Sequence, residues 1–167
     1  VKDLHTIGLV GGSINLDFLV GTGQTKILEC CSIGFQPFAR EAPNFDRYLK
    51  DGRIYAMDNT RGVHYSMVQA GSMGVPYIPV RGLAGTDVFK RRDDMILAPN
   101  PFDENEITVV ALAQNPDVAI LHGLKADRDG NAILRRFGED VMVAQASKRT
   151  IVTVEEIVDR VTPDDTS

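Results

Sequence analysis

Most residues of this 167-residue chain that could take part in catalysis or ligand binding lie where predicted strands end. Gly11-Gly12-Ser13 follows a short apolar run and opens a helical pattern. Backbone N–H groups at such a helix start can hold a phosphate, a carboxylate or a thioester oxygen. The spacing fits neither a GxGxxG nor a Walker pattern, so it does not indicate nucleotide binding. The same glycines could instead serve a tight turn that contacts no ligand.

Two further strand ends carry polar or charged residues. Asp58 and Asn59 follow a short apolar run and precede a helical stretch, where either residue would make a good N-cap. Arg81 follows a strand bracketed by prolines. Its guanidinium could grip a carboxylate with two parallel hydrogen bonds, or it could form a structural ion pair.

The nucleophile candidates lack a catalytic context in sequence. Cys30 and Cys31 are the only cysteines and lie in an apolar strand, which favours buried small hydrophobes over a reactive thiol. Neighbouring strand residues point to opposite faces and rarely form a disulfide, so the pair suits a reducing compartment. His64 falls within a predicted helix, and His122 at a strand end is more typical of a structural hydrogen bond than of a catalyst. No serine lies in a G-x-S-x-G elbow.

A metal site is not indicated either. No His or Cys spacing fits zinc, and Asp127-x-Asp129-Gly130-Asn131 lacks the glutamate at the twelfth position of a calcium loop. We interpret that segment as a turn.

Composition narrows the possible partners. The net charge of −5 makes nucleic acid and anionic membranes poor partners. The basic cluster Lys90-Arg91-Arg92 is interpreted as a solvated loop rather than as a contact with acidic groups. The sequence has neither a signal-peptide pattern nor a run of eighteen apolar residues, so we expect a soluble, cytoplasmic protein.

Strands alternate with helical stretches along the chain, which predicts an α/β fold with an open, mostly parallel sheet and helices on both faces. We expect a single domain over residues 1–161 and a frayed tail over 162–167. Ligands of such sheets bind beyond the carboxyl ends of the strands. The loops at those ends are 11–13, 32–35, 58–61, 81–87 and 122–129.

Several short motifs occur in one order along the chain: Gly11-Gly12 after a strand, Gly21-Thr22-Gly23-x-x-Lys26, Ser32-Ile33-Gly34-Phe35, Gln69-Ala70-Gly71-Ser72-Met73-Gly74-Val75-Pro76-Tyr77-Ile78-Pro79, Arg81-x-x-x-Gly85-Thr86-Asp87, Ala126-Asp127-x-x-Gly130-Asn131 and Ile151-Val152-Thr153-Val154-Glu155-Glu156-Ile157-Val158. Together they resemble the α (A) subunit of the family I coenzyme A transferases, of the glutaconate CoA-transferase type. The resemblance covers essentially the whole chain. Family α subunits normally begin earlier, so this chain is expected to lack their N-terminal strand and glycine-rich loop.

The resemblance implies a heteromeric enzyme that moves CoA between carboxylic acids through a glutamyl-CoA thioester. In this family the nucleophilic glutamate stands in a Glu-Asn/Ser-Gly setting of the β subunit. No glutamate of this chain has that setting. The implied partners are therefore a β subunit, acyl-CoA and carboxylic acids, with CoA as a substrate and no metal.

The resemblance also assigns one wall of the acyl pocket to this chain, with backbone N–H groups near Gly12 and Gly34 placed to stabilise an oxyanion. The predicted substrate-binding residues are Gly11, Gly12, Ser13, Ser32, Gly34, Phe35, Asn59 and Arg81.

Two alternatives stay open. Some hydrolases of ring-bearing CoA thioesters resemble this family and use an acidic residue of the α chain, and Asp58 stands in the aligned region as a possible general base. Asp58 could equally be a helix cap. A domain without catalytic activity could also use the same cleft to bind a metabolite.

Overall fold

The computed structural model describes residues 1–9, 11–35, 37–134, 138–162 and 165. The elements follow in this order: β1 Leu4–Gly8, α1 Ile14–Gly21, β2 Thr25–Cys30, α2 Pro43–Lys50, β3 Tyr55–Asp58, α3 Arg61–Met73, β4 Tyr77–Val80, α4 Asp87–Lys90, β5 Met95–Asn100, β6 Asp103–Leu112, β7 Ala119–Ala126, β8 Ala132–Ile133, α5 Asp140–Ala146 and β9 Thr150–Ile157. The α/β class is confirmed. Of the tail predicted to fray, residues 163, 164, 166 and 167 lie outside the described residues.

The chain divides into two compact units. The first comprises Val1–Ser66 and Pro79–Ala111, and the second comprises Met67–Ile78 and Leu112–Ser167. A single domain over residues 1–161 stays a prediction.

The first unit contains a three-stranded parallel sheet in the order β1-β2-β3. Its register pairs Gly8 with Cys30 and Cys30 with Asp58, so the three strands end at one edge. This common edge follows from two βα connections, which return the chain to the same end of the sheet before each new strand.

Helices α1 and α2 are tied together by a buried carboxylate. Asp17 of α1 accepts a hydrogen bond from the side chain of Asn44 at 2.7 Å and one from the backbone N–H of Phe45 at 2.8 Å. It thus satisfies donors at the N-terminus of α2 that lack partners within the helix. The Tyr48 hydroxyl donates to the carbonyl of Gly21, and the ring of Tyr48 lies in the core against Val20, Leu28, Cys30 and Ile54.

The other two sheets contain antiparallel pairs, whereas the sequence predicted one mostly parallel sheet. The second sheet has the order β4-β6-β5, and β5 and β6 pair antiparallel. Strand β5 contains Pro99 and is followed directly by Pro101, and two prolines this close in sequence favour a loop. Proline is compatible with an edge strand, and β5 is at an edge.

The second unit contains the sheet β8-β7-β9, in which β7 and β9 are parallel and β7 and β8 are antiparallel. Gly71 in α3 has no room for a side chain, since an added Cβ would lie 2.0 Å from the carbonyl oxygen of Gln114. None of the helices in the described ranges is long and apolar enough to cross a membrane.

Candidate active site

The carboxyl edge of β1-β2-β3 brings three of the predicted loops together. The loop after β1 and the loop after β2 pair through a parallel bridge between Gly12 and Ile33. The third loop begins at Asp58, which lies opposite Cys30 in the register. The prediction that these loops meet at one strand edge is thus confirmed for the first unit.

A cavity of about 170 Å³ opens beside this edge. Its lining is Leu28, Cys30, Cys31, Ser32, Ile33, Phe45, Ala56, Met57 and Asp58. Most of these side chains are apolar, and the Asp58 carboxylate supplies a negative charge. Of the predicted site residues, Ser32 and Asp58 line the cavity.

The two loop glycines serve close backbone packing. The Gly12 N–H donates to the Ser32 carbonyl at 2.6 Å, and the Gly34 N–H donates to the Gly12 carbonyl at 3.1 Å. An added Cβ at Gly12 would lie 2.8 Å from the Ile33 side chain. Each of these two N–H groups already donates to a carbonyl of the neighbouring loop, so neither is an open donor. Stabilisation of an oxyanion by other N–H groups near Gly12 and Gly34 stays a prediction.

The remaining predicted residues have other surroundings. Gly11 and Ser13 are exposed, and Phe35 is half-buried in a bridge with Ala39. Arg81 is 86% exposed and forms an ion pair with Glu106 at 3.1 Å, one of the two interpretations of this residue. Substrate binding by these residues stays a prediction.

A wholly buried carboxylate lies beneath the strand edge. Glu29 of β2 accepts hydrogen bonds on Oε1 from Arg92 at 2.7 Å and from Asn59 at 2.9 Å. Its Oε2 lies 3.2 Å from Nε2 of His5. Asn59, predicted to bind substrate, therefore directs its amide nitrogen to this buried carboxylate, while its Oδ1 accepts from the Thr60 N–H.

Charge pairing keeps the Glu29 carboxyl ionised at neutral pH. Burial by itself would raise the pKa of the Glu29 carboxyl, but the hydrogen bond from His5 and the charge of Arg92 outweigh burial and lower the pKa to about 2. A carboxylate that is inaccessible and held by Arg92 and Asn59 cannot attack a substrate. Glu29 is a structural anion.

The solvated-loop interpretation of the basic cluster is wrong for Arg92. Its side chain is 1% exposed and donates to Glu29, to both carboxylate oxygens of Asp94 and to the backbone carbonyl of Asp58. The physical reason is that the buried Glu29 carboxylate requires a cation. Arg92 thereby fixes the backbone at the residue where β3 ends.

The two thiols at the edge differ in their neighbours. Cys31 lies with its Sγ 3.9 Å from Nδ1 of His64, and Cys30 belongs to the core. Burial, together with the charges of Glu29 and Asp58, raises the pKa of the Cys31 thiol. Burial likewise raises the pKa of the Cys30 thiol to about 11. Both therefore stay protonated near neutral pH.

Polar residues of the second unit form hydrogen bonds that stabilise its structure. His122 contacts the Thr153 hydroxyl at 2.9 Å and the Glu155 carboxylate at 2.7 Å, in line with the structural interpretation. The Asp127 carboxylate accepts the backbone N–H groups of Asp129 and Asn131, which confirms the turn. Within the described residues, no group of three or more His, Cys, Asp or Glu side chains is arranged to hold a metal ion.

The sequence did not predict that Glu29, His64 and Arg92 form one cluster in the folded protein. A charged residue inside the apolar run Lys26–Ser32 was a signal that this carboxylate needs a buried partner. Nothing local indicated which cation supplies it, because Arg92 is 63 residues away.

The sequence matches a known protein family and is similar to individual proteins of known activity. The family model described as coenzyme A transferase matches residues 1–166. The chain is 31% identical to the A subunit of glutaconate CoA-transferase from Acidaminococcus fermentans, over 95% of this chain and 54% of that protein. It is 32% identical to the A subunit of 3-oxoadipate CoA-transferase from Pseudomonas knackmussii, over 95% of this chain and 56% of that protein.

Solved structures show the same fold. The crystal structure of the glutaconate enzyme superposes with a TM-score of 0.83, over 95% of this chain and 55% of that chain. The decarboxylase AibA/AibB is 28% identical and superposes with a TM-score of 0.86, over 96% of this chain and 61% of that chain. The chain thus spans about half the length of the curated relatives described above.

Proposed function

Because this chain belongs to the coenzyme A transferase family, we propose that it acts as the α-type part of a heteromeric CoA-transferase in the cytoplasm. The enzyme moves CoA between carboxylic acids, and CoA is a substrate rather than a bound cofactor. The partner is a β-type chain. Its glutamate attacks the thioester carbonyl, and CoA then passes through a glutamyl thioester.

One observation carries this proposal. The strand edge has a cavity of about 170 Å³, yet the glutamate that lies at this edge is fully buried and paired with Arg92. Glu29 cannot serve as the nucleophile, and the described residues that line the cavity include no glutamate. A shared site, to which a second chain contributes the reactive carboxylate, reconciles the cavity with the buried Glu29.

Within the shared site, the loops 11–13, 32–35 and 58–61 form one wall. Ser32 and Asp58 contact the cavity directly. Gly11, Gly12, Ser13, Gly34 and Phe35 shape the adjoining loops, and Asn59 holds the third loop onto Glu29. Arg81 would bind a substrate carboxylate in exchange for its ion pair with Glu106.

A second candidate is hydrolysis of the CoA thioester, which is favoured by the exposed Asp58 carboxylate in the cavity lining. Asp58 could activate a water molecule as a general base. The family membership and the relatives that are A subunits of CoA-transferases favour transfer over hydrolysis.

Activity in the co-expressed complex tests both candidates. We expect CoA exchange between an acyl-CoA and a carboxylate when this chain is co-expressed with a β-type partner, and no exchange with this chain alone. Exchange by the isolated chain would contradict a shared site. In the complex, Asp58→Asn should keep the exchange rate within about tenfold, whereas hydrolysis through Asp58 would lose about 100-fold or more.

A further inference from the structure

A thiol, an imidazole and a carboxylate lie in series at the strand edge. Cys31 Sγ is 3.9 Å from His64 Nδ1, and His64 Nε2 is 4.0 Å from Glu29 Oε1. His64 is fully buried, which fixes its ring between the other two side chains. The series opens on the cavity through Cys31, which is half-buried.

The carboxylate favours one arrangement of the imidazole. Glu29 is ionised and can only accept, so the tautomer with its N–H on Nε2 suits the 4.0 Å approach of Nε2 to Oε1. Nδ1 then presents a lone pair to the Cys31 thiol. This is the order in which a base activates a thiol nucleophile and a carboxylate orients the base. Such contacts commonly shorten when a substrate binds.

The Cys31 thiol needs His64 as a base to become nucleophilic. A protonated thiol is a weak nucleophile, and burial beside Glu29 and Asp58 keeps the Cys31 thiol protonated. Cys30 lines the same cavity from the core side, and its thiol is held protonated as well. The imidazole at 3.9 Å therefore distinguishes two neighbouring thiols.

We propose that Cys31 is an acyl acceptor, which takes a short, uncharged acyl group from an acyl thioester with His64 as general base. The inference rests on the proposed function in one respect, the entry of acyl thioesters into this cavity. Cys31 Sγ attacks the thioester carbonyl carbon, a new C–S bond forms, and the bond to the leaving sulfur breaks. The thiol proton passes to His64 Nδ1 and from there to the leaving sulfur. No electrons are gained or lost, because one thioester and one thiol become another thioester and another thiol.

Size and charge define the acyl group. A volume of about 170 Å³ accommodates roughly five or six non-hydrogen atoms, by comparison with about 30 Å³ for a water molecule in the liquid. The side chains of Leu28, Ile33, Phe45, Ala56 and Met57 favour an alkyl chain. A second carboxylate on the acyl chain would meet the charge of Asp58 in the same lining, which opposes its binding.

The test uses the full 167-residue chain and the butyryl thioester of N-acetylcysteamine, with mass spectrometry as the readout. We expect one butyryl group on Cys31, released by neutral hydroxylamine, and little on the adjacent Cys30, which serves as the internal control. The succinyl thioester should react at least about tenfold more slowly. Equal labelling of the two cysteines, or no labelling, would overturn the proposal.

Variants test the role of the imidazole. His64→Gln should slow the acylation by about 100-fold or more, and His122→Gln, at an exposed histidine of the second unit, should leave the rate unchanged. An equal rate in His64→Gln would overturn the proposal. If His64→Gln does not fold, the parent chain unfolded in urea replaces it. Acylation of the unfolded chain should be about tenfold slower or more and no longer selective for Cys31, and an unchanged rate would contradict the proposal.

The same experiments separate this inference from the proposed function. Selective acylation of Cys31 without CoA exchange in the complex would support the inference and contradict the transferase proposal. CoA exchange in the complex without acylation of Cys31 would support the transferase proposal and contradict the inference.

Discussion

Replacing Arg92 with methionine is expected to lower the free energy of unfolding by about 3 to 5 kcal/mol. Methionine retains much of the side-chain volume but removes the guanidinium that contacts Glu29 at 2.7 Å. The Glu29 carboxylate is 0% exposed, so it would stay buried without its strongest cation. The Asp58 carbonyl would lose its donor as well. Urea denaturation followed by circular dichroism measures the change.

Arg91 provides the matched control, because it is the neighbouring arginine and is exposed. Arg91→Met should change the free energy of unfolding by less than about 0.5 kcal/mol. The double variant Glu29→Gln/Arg92→Met should recover part of the loss, since it removes both charges together. Equal effects of Arg91→Met and Arg92→Met would show that the buried ion pair does not stabilise the fold.

Acid is expected to unfold the protein partly through Glu29. The pKa of this carboxyl falls from its usual 4.5 to about 2 on folding. The folded state therefore binds fewer protons between these values, so its stability is complete above about pH 4.5 and declines as the pH falls to about 2. Because proton binding is linked to folding, this one group lowers the free energy of unfolding by about 3 kcal/mol over that pH range.

Glu29→Gln isolates that contribution from those of the other carboxylates. Between about pH 5 and pH 2, the free energy of unfolding of Glu29→Gln should fall by about 3 kcal/mol less than that of the parent chain. Glu104→Gln removes an exposed carboxylate and should follow the parent within about 0.5 kcal/mol. Denaturant titrations at several pH values supply the comparison, and parallel curves for Glu29→Gln and the parent would contradict the assignment.

The strand edge was predictable from sequence because its determinants are local. Short apolar runs ending in Gly11-Gly12, Ser32 and Asp58 indicated strands, and the helical stretches between them indicated parallel pairing. The structure ends β1, β2 and β3 at Gly8, Cys30 and Asp58, close to the starts of the predicted loops at residues 11, 32 and 58. Hydrophobic runs and turn residues are sufficient to define such βα units.

Pairing between distant segments was not predictable in the same way. Strand β5 pairs antiparallel with β6, and its Pro99 indicates a loop unless the edge position of the strand is known. The burial of Arg92 depends on Glu29, which lies on β2, 63 residues away in sequence. His64 and Cys31 show the same limit, because neither the helix nor the strand indicates that the two side chains meet. A single sequence contains the residue types of such a cluster but not the folding that joins them.

The central claim is that the reactive glutamate of the shared site belongs to another polypeptide. The most direct measurement is borohydride reduction of the co-expressed complex during turnover with an acyl-CoA, followed by peptide mapping. Borohydride converts a glutamyl thioester to the corresponding alcohol and so marks the glutamate permanently. Reduction of an acylated Cys31 returns the free thiol and leaves no mark on this chain.

We expect the mark on a glutamate of the partner chain, only when acyl-CoA is present, with every glutamate of this chain unchanged. A reduced glutamate within this chain, at Glu29 or elsewhere, would contradict the account.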